Sequence, residues 1–279
     1  MILSRLYRSC KKDFIFFLST GVVAILVVLS IVGPLLAPYP NDAYGEVHLE
    51  KKLLPPGLTH VFGTDFLGRD ILSQILCGTR TDLVAAIITV GLTVIIGVPL
   101  GLAAGYARGF TSETIMRLAD LFVSFPPLTL PLFLAALFGS SMFSLATALA
   151  ISWWPWYARI VRSQVISVRE NVYVEAAEAG GMSKIWILRK HILPNSISPI
   201  IVQVSMDFGY VILAISAFSF LGFGVKPPIP EWGLLLSSTR AYFLDYWWTM
   251  FFPGFWIFLA VLVFNLVGDG LRDLLDPRV

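Results

Sequence analysis

Charged residues are scarce in this sequence. Only 14% of its 279 residues are Asp, Glu, Lys or Arg, whereas 57% are hydrophobic and the mean hydropathy is +0.79. A soluble domain carries about a quarter charged residues on average. The deficit excludes an ordinary water-soluble fold and indicates a chain that lies mostly in lipid. The long apolar runs described below then predict an all-α fold. The net charge of +2 gives no reason to expect nucleic acid as a partner.

Catalytic signatures are also lacking. The sequence contains no G-x-x-x-x-G-K-[ST] phosphate loop, no H-E-x-x-H, no C-x-x-C and no G-x-S-x-G. No predicted extramembrane segment is long enough for an ATPase domain, which needs on the order of 100 residues or more. We therefore predict a non-enzymatic chain with no catalytic residues and no bound cofactor.

Cysteine and histidine are rare, with two and three residues respectively. Cys10 and Cys77 fall on opposite sides of the membrane in the topology below, so a disulfide between them is not expected. His191 lies on one side of the membrane, whereas His48 and His60 share the first outer loop. A joint ligand role for His48 and His60 stays open, but solvent-facing histidines are the simpler expectation, and no metal site is predicted.

Long apolar runs dominate the rest of the chain. A membrane-crossing helix needs about 20 mostly apolar residues, and six segments approach or exceed that length, the third of them interrupted by prolines. The predicted spans are Phe14–Ala37, Leu83–Ala104, Leu121–Phe138, Met142–Ala158, Ser196–Gly224 and Thr249–Val267.

The distribution of basic residues orients these spans. If the N-terminus is cytoplasmic, the inner segments carry 14 of the Lys and Arg residues and the outer segments carry six. Cytoplasmic loops are enriched in Lys and Arg, so both termini are predicted to be cytoplasmic. The chain then divides into a tail, first span and outer loop (1–80), a five-span core (81–272) and a cytoplasmic tail (273–279).

One charged loop interrupts the apolar core at 171–194. Its sequence "NVYVEAAEAGGMSKIWILRKHILP" predicts a helix, a glycine turn and a second helix. Gly180 and Gly181 end the first helix, Ser183 caps the second, and Pro194 prevents its continuation. Apolar residues at the tip indicate a docking element, although an ordinary amphipathic loop is the plainer alternative.

Two intramembrane features carry functional hypotheses. Asp207 lies midway along the fifth predicted span, where a carboxylate is costly and faces water, a partner or a substrate. It is a candidate for the translocation pathway, and a hydrogen-bonded packing residue is the alternative. Gly97, Gly101 and Gly105 form a smooth stripe that lets another helix approach closely, either from this chain or from a partner.

The loop sequence "EAAEAGG", followed by "HILPN", resembles the EAA signature of permease subunits in ABC importers. Four other stretches, beginning at His60, Trp156, Phe218 and Phe264, are similar to the dipeptide, oligopeptide and nickel branch of that family, in its second-permease group. The resemblance implies the type I ABC importer permease fold and identifies the loop as a coupling helix. The residues that match the signature are Glu175, Ala176, Ala177, Gly181, Leu193 and Pro194.

The family resemblance also implies partners. A related second permease, two ABC ATPase subunits that bind ATP and Mg²⁺, and an extracytoplasmic solute-binding protein are expected around this chain in the inner membrane. The expected substrate is a peptide, or nickel or another metal held by a small chelator. The alternative from another class is a secondary transporter driven by an ion gradient through Asp207. The lack of inverted-repeat symmetry between the halves counts against it.

Overall fold

The fold is helical, as the sequence predicts. The computed structural model describes residues 2–107 and 109–275, and the side chains from residue 14 onward within those ranges. Within them no strand occurs, and the only bridge pairs Thr64 with Asp70. The side chain of Cys10 and the last four residues of the predicted 273–279 tail lie outside the described part of the chain.

Long helices alternate with short ones along the chain. Besides the α-helices, two 3-10 turns occupy Leu49–Lys51 and Arg240–Tyr242, and a π-helical turn occupies Leu188–Ile192. The α-helices are α1 (Ile2–Leu36), α2 (Pro40–Ala43), α3 (Ile71–Tyr106), α4 (Phe110–Val123), α5 (Thr129–Phe138), α6 (Met142–Arg169), α7 (Val172–Ala179), α8 (Lys184–Ile187), α9 (Leu193–Phe220), α10 (Trp232–Thr239) and α11 (Trp248–Leu275).

Four helical segments of the described chain are long and apolar enough to cross a membrane: Phe14–Leu36, Ile71–Tyr106, Lys184–Phe220 and Trp248–Leu275. They contain the second and sixth predicted spans in full, and the first and fifth apart from their last one and four residues. Helix α6 contains the fourth predicted span, and its 28 residues are about 42 Å long at 1.5 Å per residue. Its C-terminal half is more polar because it continues to Arg169.

The third predicted span, Leu121–Phe138, is not one helix. Helix α4 ends at Val123, α5 begins at Thr129, and the intervening residues form a turn. Pro126 and Pro127 lie in this turn, and proline has no N–H to continue the helical hydrogen bonds. The apolar part of this region is consequently only the ten residues of α5, which is too short to cross a bilayer alone.

The glycine stripe packs against α6 of the same chain. A methyl group built on Gly97 would lie 2.7 Å from the Trp154 carbonyl oxygen, and one on Gly101 would lie 2.7 Å from that of Ala158. A methyl group built on Gly105 would clash in the same way with the side chain of Val165. Because only a residue without Cβ fits at these positions, α3 and α6 form one closely packed pair.

The remaining long helices surround this pair. Helix α9 packs between α6, α3 and α11, and α1 lies on the outside against α3 and α11. The buried core includes Leu149 of α6 and Ile212 and Phe218 of α9. From Phe14 onward, most of the apolar surface of α1 is exposed, which is the pattern expected of a helix that faces lipid.

Polar contacts close the end of the bundle where α3 begins. The Asp70 carboxylate accepts the Ser73 N–H at 2.8 Å as the N-cap of α3, and its other oxygen lies 2.9 Å from His60 Nδ1. The first turns of α3 therefore lie at this polar end and are continuous with the second predicted span. Burial raises the pKa of the Glu231 carboxyl group, which caps α10 at the same end.

Candidate functional site

The charged loop folds as a helical hairpin, which we define as residues 171–192. Helix α7 ends in a Schellman motif: Met182 N–H donates to the Ala177 carbonyl at 3.1 Å and Gly181 N–H donates to that of Glu178 at 3.0 Å. Gly181 has φ +76°, the left-handed conformation that glycine adopts without strain. The sequence therefore predicts the turn of the hairpin correctly, with Gly181 as the residue that requires glycine.

The second arm of the hairpin begins as predicted and ends differently. Ser183 Oγ accepts the Trp186 N–H at 3.3 Å. The expected stop at Pro194 is wrong, because the helical path continues through it into α9. The π-helical turn explains this: Leu193 N–H bonds to the Leu188 carbonyl, five residues back. Pro194 consequently lies in the first turn of α9, where no N–H is needed.

This continuity makes the second arm and α9 one rod. Residues Lys184–Phe220 form 37 consecutive helical residues, about 55 Å at 1.5 Å per residue. This rod does not end at its basic residues. Its π-helical turn contains Arg189, Lys190 and His191. A π turn inside a helix is often found at functional positions.

A side-chain hydrogen bond links the hairpin to α3. The Tyr106 hydroxyl at the end of α3 donates to Glu178 Oε1 at 2.9 Å. Beside it, the Arg169 guanidinium at the end of α6 donates to the carbonyls of Gly105 and Tyr106 at 3.2 and 3.0 Å, which ties the end of α6 to the end of α3. Sequence reasoning missed both contacts, because Tyr106 lies 72 residues from Glu178 and 63 residues from Arg169, and only the fold brings them together.

Apolar contacts complete the attachment on the inner face of the hairpin. Val174 of α7 and Ile187 of α8 are fully buried, against Val161 and Val165 of α6. The hairpin is therefore a packed extension of the bundle rather than a free loop, and its two arms are held at fixed positions relative to α3 and α6.

The outer face of the hairpin is exposed. Among the residues that match the EAA signature, Glu175, Ala176, Gly181 and Pro194 are exposed, whereas Ala177 and Leu193 are partly buried. Large apolar side chains accompany them and are uncovered. Those side chains are Val172, Tyr173, Met182, Ile185 and Trp186. Contiguous exposed apolar surface on a rigid element is typical of a protein-binding site.

Asp207 lies in a cavity of about 280 Å³ on α9. Gln203, one helical turn before it, donates to Asp207 Oδ1 at 2.7 Å. The buried Tyr157 hydroxyl interacts electrostatically with the same carboxyl group, but no partner in the described chain meets hydrogen-bond geometry with it. The carboxylate thus has one well-formed hydrogen bond and an open side toward the cavity.

Aromatic residues and prolines form the cavity walls. Trp153 of α6 packs against Tyr210 of α9 with ring centroids 4.4 Å apart and ring planes tilted by 49°, and Trp156 is exposed nearby. Pro126 and Pro127, in the turn between α4 and α5, line the opposite side. The interruption of the third predicted span therefore contributes a wall of the cavity, which sequence patterns do not reveal. A carboxylate among aromatic faces suits a cationic group.

The two outer histidines do not share a site in the described structure. His60 is buried and contacts Asp70. His48 is partly exposed and contacts Asp42 at 3.2 Å and Glu46 at 3.7 Å. Each histidine therefore belongs to its own group of carboxylates.

Comparisons with known proteins indicate the same family as the hairpin sequence does. The model of the family described as "Binding-protein-dependent transport system inner membrane component" matches residues 97–279. A dipeptide transport system permease protein of Alkalihalophilus pseudofirmus is 40% identical over 273 residues, covering 98% of this chain and 89% of the relative. A nickel transport system permease protein of Escherichia coli K12 is 36% identical over 258 residues, covering 92% of each chain.

Solved structures show the same fold at lower identity. An inward-facing methionine ABC transporter matches with a TM-score of 0.61 at 15% identity, covering 73% of this chain and 96% of the other. An amino acid ABC transporter crystallised with histidines matches with a TM-score of 0.56 at 18% identity, covering 72% and 94%. At these identities the likeness concerns the fold alone.

Proposed function

Since the chain belongs to the family of binding-protein-dependent transport system inner membrane components and is a permease subunit of an ABC importer, we propose that it forms one half of a translocation pathway that ATPase subunits drive through the hairpin. The observation that carries this proposal is the unbroken helical path from the hairpin to the cavity. The exposed hairpin arm and Asp207 lie on the same rod, Lys184–Phe220.

The coupling mechanism follows from the mechanical connections. Ile185 at the tip and Asp207 are about 33 Å apart along the rod, and no helix break separates them. The Tyr106–Glu178 hydrogen bond ties the same hairpin to α3, and the packing of Val174 and Ile187 ties it to α6. A displacement of the hairpin by an ATPase subunit would therefore move α9 against α6, which changes the cavity between them. This is alternating access driven from outside the chain.

The proposed assembly contains a second, related permease, two ABC ATPase subunits and an extracytoplasmic solute-binding protein. The family description supports the binding protein, and the lack of a phosphate loop in this chain supports separate subunits that bind ATP and Mg²⁺. The exposed hairpin face supports a docking role for Glu175, Ala176 and Gly181. The excess of basic residues in the predicted inner segments supports cytoplasmic termini.

The proposed substrate is a dipeptide or short peptide, with a nickel or other metal chelate as the second candidate. Relatives named for dipeptide transport are 40% identical to this chain and one named for nickel transport is 36% identical. The Asp207 carboxylate and its aromatic surroundings favour a cationic group on the substrate, such as a peptide ammonium. Membership of an ATP-driven importer family leaves the ion-gradient mechanism through Asp207 without support.

Reconstitution tests this proposal. Proteoliposomes with the chain, its partner permease, both ATPases and the binding protein should take up a labelled dipeptide only with ATP inside the compartment that the ATPases face. A panel of dipeptides and a nickel–chelate complex, each offered with the same binding protein, identifies the substrate class. Uptake that persists without ATP and follows an imposed ion gradient would contradict the proposal.

A further inference from the structure

Between α1 and α3, the chain gathers an imidazole and three carboxylates that the transport mechanism does not use. We define the outer cluster as Asp42, Glu46 and His48, with Glu50 beside it. The structure assigns to the outer cluster a resident binding site for a divalent transition ion of the Zn²⁺ class, which would hold together the segment 42–48 beside the beginning of α3. This site is separate from the cavity at Asp207 and from any transported metal.

The spacing of the potential ligand atoms fits such an ion. His48 Nε2 lies 3.2 Å from Asp42 Oδ1 and 3.7 Å from Glu46 Oε1, and the three atoms lie within 4.8 Å of one another. Nitrogen and oxygen ligands bind Zn²⁺ at about 2.0–2.2 Å, so two ligands at a tetrahedral angle are about 3.4 Å apart. The ion would need only small side-chain movements, and water would fill the remaining position.

Neighbouring groups also fix the orientation of the potential ligands. Asp42 is buried, and its second oxygen accepts the Asp70 N–H at 2.8 Å, so Oδ1 is left facing His48. On the other ring edge, His48 Nδ1 lies 3.8 Å from Glu50 Oε1. A histidine ligand commonly donates its second ring N–H to a carboxylate, which fixes the tautomer and raises its basicity as a ligand. Glu50 is in position for that role.

The charge of the outer cluster favours a cation. Asp42, Glu46 and Glu50 all lie within 4 Å of His48, and in the described part of the chain no Lys or Arg reaches ion-pair distance of any of them. One imidazole therefore faces three carboxylates. The nitrogen ligand selects a borderline transition ion over Ca²⁺ or Mg²⁺, which prefer all-oxygen sites.

A bound ion would act on the structure of the outer end. The backbone N–H of His48 donates to the Leu67 carbonyl. Asp42 Oδ2 accepts the backbone N–H of Asp70, the N-cap of α3. An ion shared by His48, Asp42 and Glu46 would fix the segment 42–48 in the conformation that makes these two bonds. Thermal stability of the chain should consequently rise when the ion binds.

Equilibrium binding measures the site directly. The importer complex, purified through a tag without histidine and stripped with a chelator, is titrated with Zn²⁺ by calorimetry and with Co²⁺ by visible absorption. We expect one high-affinity equivalent per chain, a ligand-field spectrum of nitrogen and oxygen coordination, and a higher Tm with Zn²⁺. His48→Gln should weaken Zn²⁺ binding at least tenfold and abolish both the Co²⁺ spectrum and the Tm increase.

Two other variants complete the test. Glu46→Gln removes an exposed ligand with little structural cost, so it should weaken binding even if His48→Gln assembles poorly. His191→Gln makes the same change as the first variant on the hairpin and should bind Zn²⁺ like the wild type. Absence of stoichiometric Zn²⁺ binding by the wild type, or equal binding by wild type, His48→Gln and Glu46→Gln, would overturn the assignment and leave the outer cluster as a hydrogen-bonded ion group.

Discussion

At the scale of single residues, the surroundings of Asp207 limit the roles that its carboxyl group can have. An ionised carboxylate at mid-membrane costs about 2.5–3.5 kcal/mol even on the lenient insertion scale. Gln203 offsets part of that cost with a hydrogen bond of 2.7 Å, and the cavity gives the open side access to water or substrate. The same position on a lipid-facing surface would have neither compensation.

Asp207→Asn keeps the shape of this side chain and removes its charge. If the carboxylate contacts a cationic group on the substrate, uptake by the reconstituted complex should fall several-fold while subunit assembly stays unchanged. Asp245→Asn, an exposed aspartate outside the cavity, should transport normally and serves as the control. Wild-type uptake by Asp207→Asn would return the residue to a packing role.

Gly101 tests the packing of the α3–α6 pair. Gly101→Val would place its Cβ 2.7 Å from the Ala158 carbonyl oxygen, and such overpacking costs typically 1–3 kcal/mol. The expected result is a lower Tm and a lower yield of assembled complex. Gly91→Val makes the same change in the same helix at a position with no atom within 4 Å, so it should be close to neutral. Equal effects of the two substitutions would contradict the packing account.

At the scale of elements, the hairpin combines a rigid attachment with an uncovered outer face. Its turn depends on Gly181 at φ +76°, a conformation that costs an L-residue roughly 1–2 kcal/mol. Its inner side depends on Val174 and Ile187, and its polar attachment to α3 depends on the Tyr106–Glu178 hydrogen bond. If an ATPase subunit moves the tip, these contacts and the continuous helix would carry the displacement to α9.

Gly181→Val should distort the hairpin turn and uncouple transport while membrane insertion stays intact. Gly180→Ala is the matched control, because Gly180 has φ −73° and accepts a side chain there. Glu175→Gln tests the docking face with the helix unchanged and should also reduce uptake. Uptake and co-purification of the ATPase subunits are measured together. Normal uptake by both Gly181→Val and Glu175→Gln would rule out the coupling role.

Local sequence patterns account for the elements but not for their connections. Apolar runs predict the long helices, and Gly181 and Ser183 predict the hairpin turn, since these signals act within a few residues. The continuation through Pro194 was not predictable, because it depends on a π-helical turn that shifts the hydrogen-bond pairing before the proline. The Tyr106–Glu178 and Asp42–Asp70 contacts depend on tertiary packing, which a single sequence does not display.

At the scale of the whole molecule, orientation in the membrane determines which partner meets which surface. The asymmetry of basic residues predicts that Cys10 is cytoplasmic. Cys77, the other native cysteine, is buried in α3 and is unsuitable as a reporter. Leu58 is fully exposed in the segment between α1 and α3, so Leu58→Cys in a Cys10→Ser background provides a reporter for the opposite side.

An impermeant thiol reagent should label Leu58→Cys in intact cells and label Cys10 of the wild type only after the membrane is opened. Both results follow from the same topology, and each serves as the control of the other. Labelling of Cys10 in intact cells would reverse the orientation and place the hairpin on the side away from ATP.

Docking of the hairpin on an ATPase subunit is the central claim, and site-directed cross-linking tests it most directly. In a Cys10→Ser, Cys77→Ala background, Ile185→Cys at the exposed tip is treated with a short bifunctional thiol reagent in the assembled complex, with Leu58→Cys as the control. The account predicts an adduct between Ile185→Cys and an ATPase subunit whose yield changes when ATP binds, and no ATPase adduct from Leu58→Cys. An assembled, transporting complex in which neither Ile185→Cys nor Tyr173→Cys forms an ATPase adduct would contradict it.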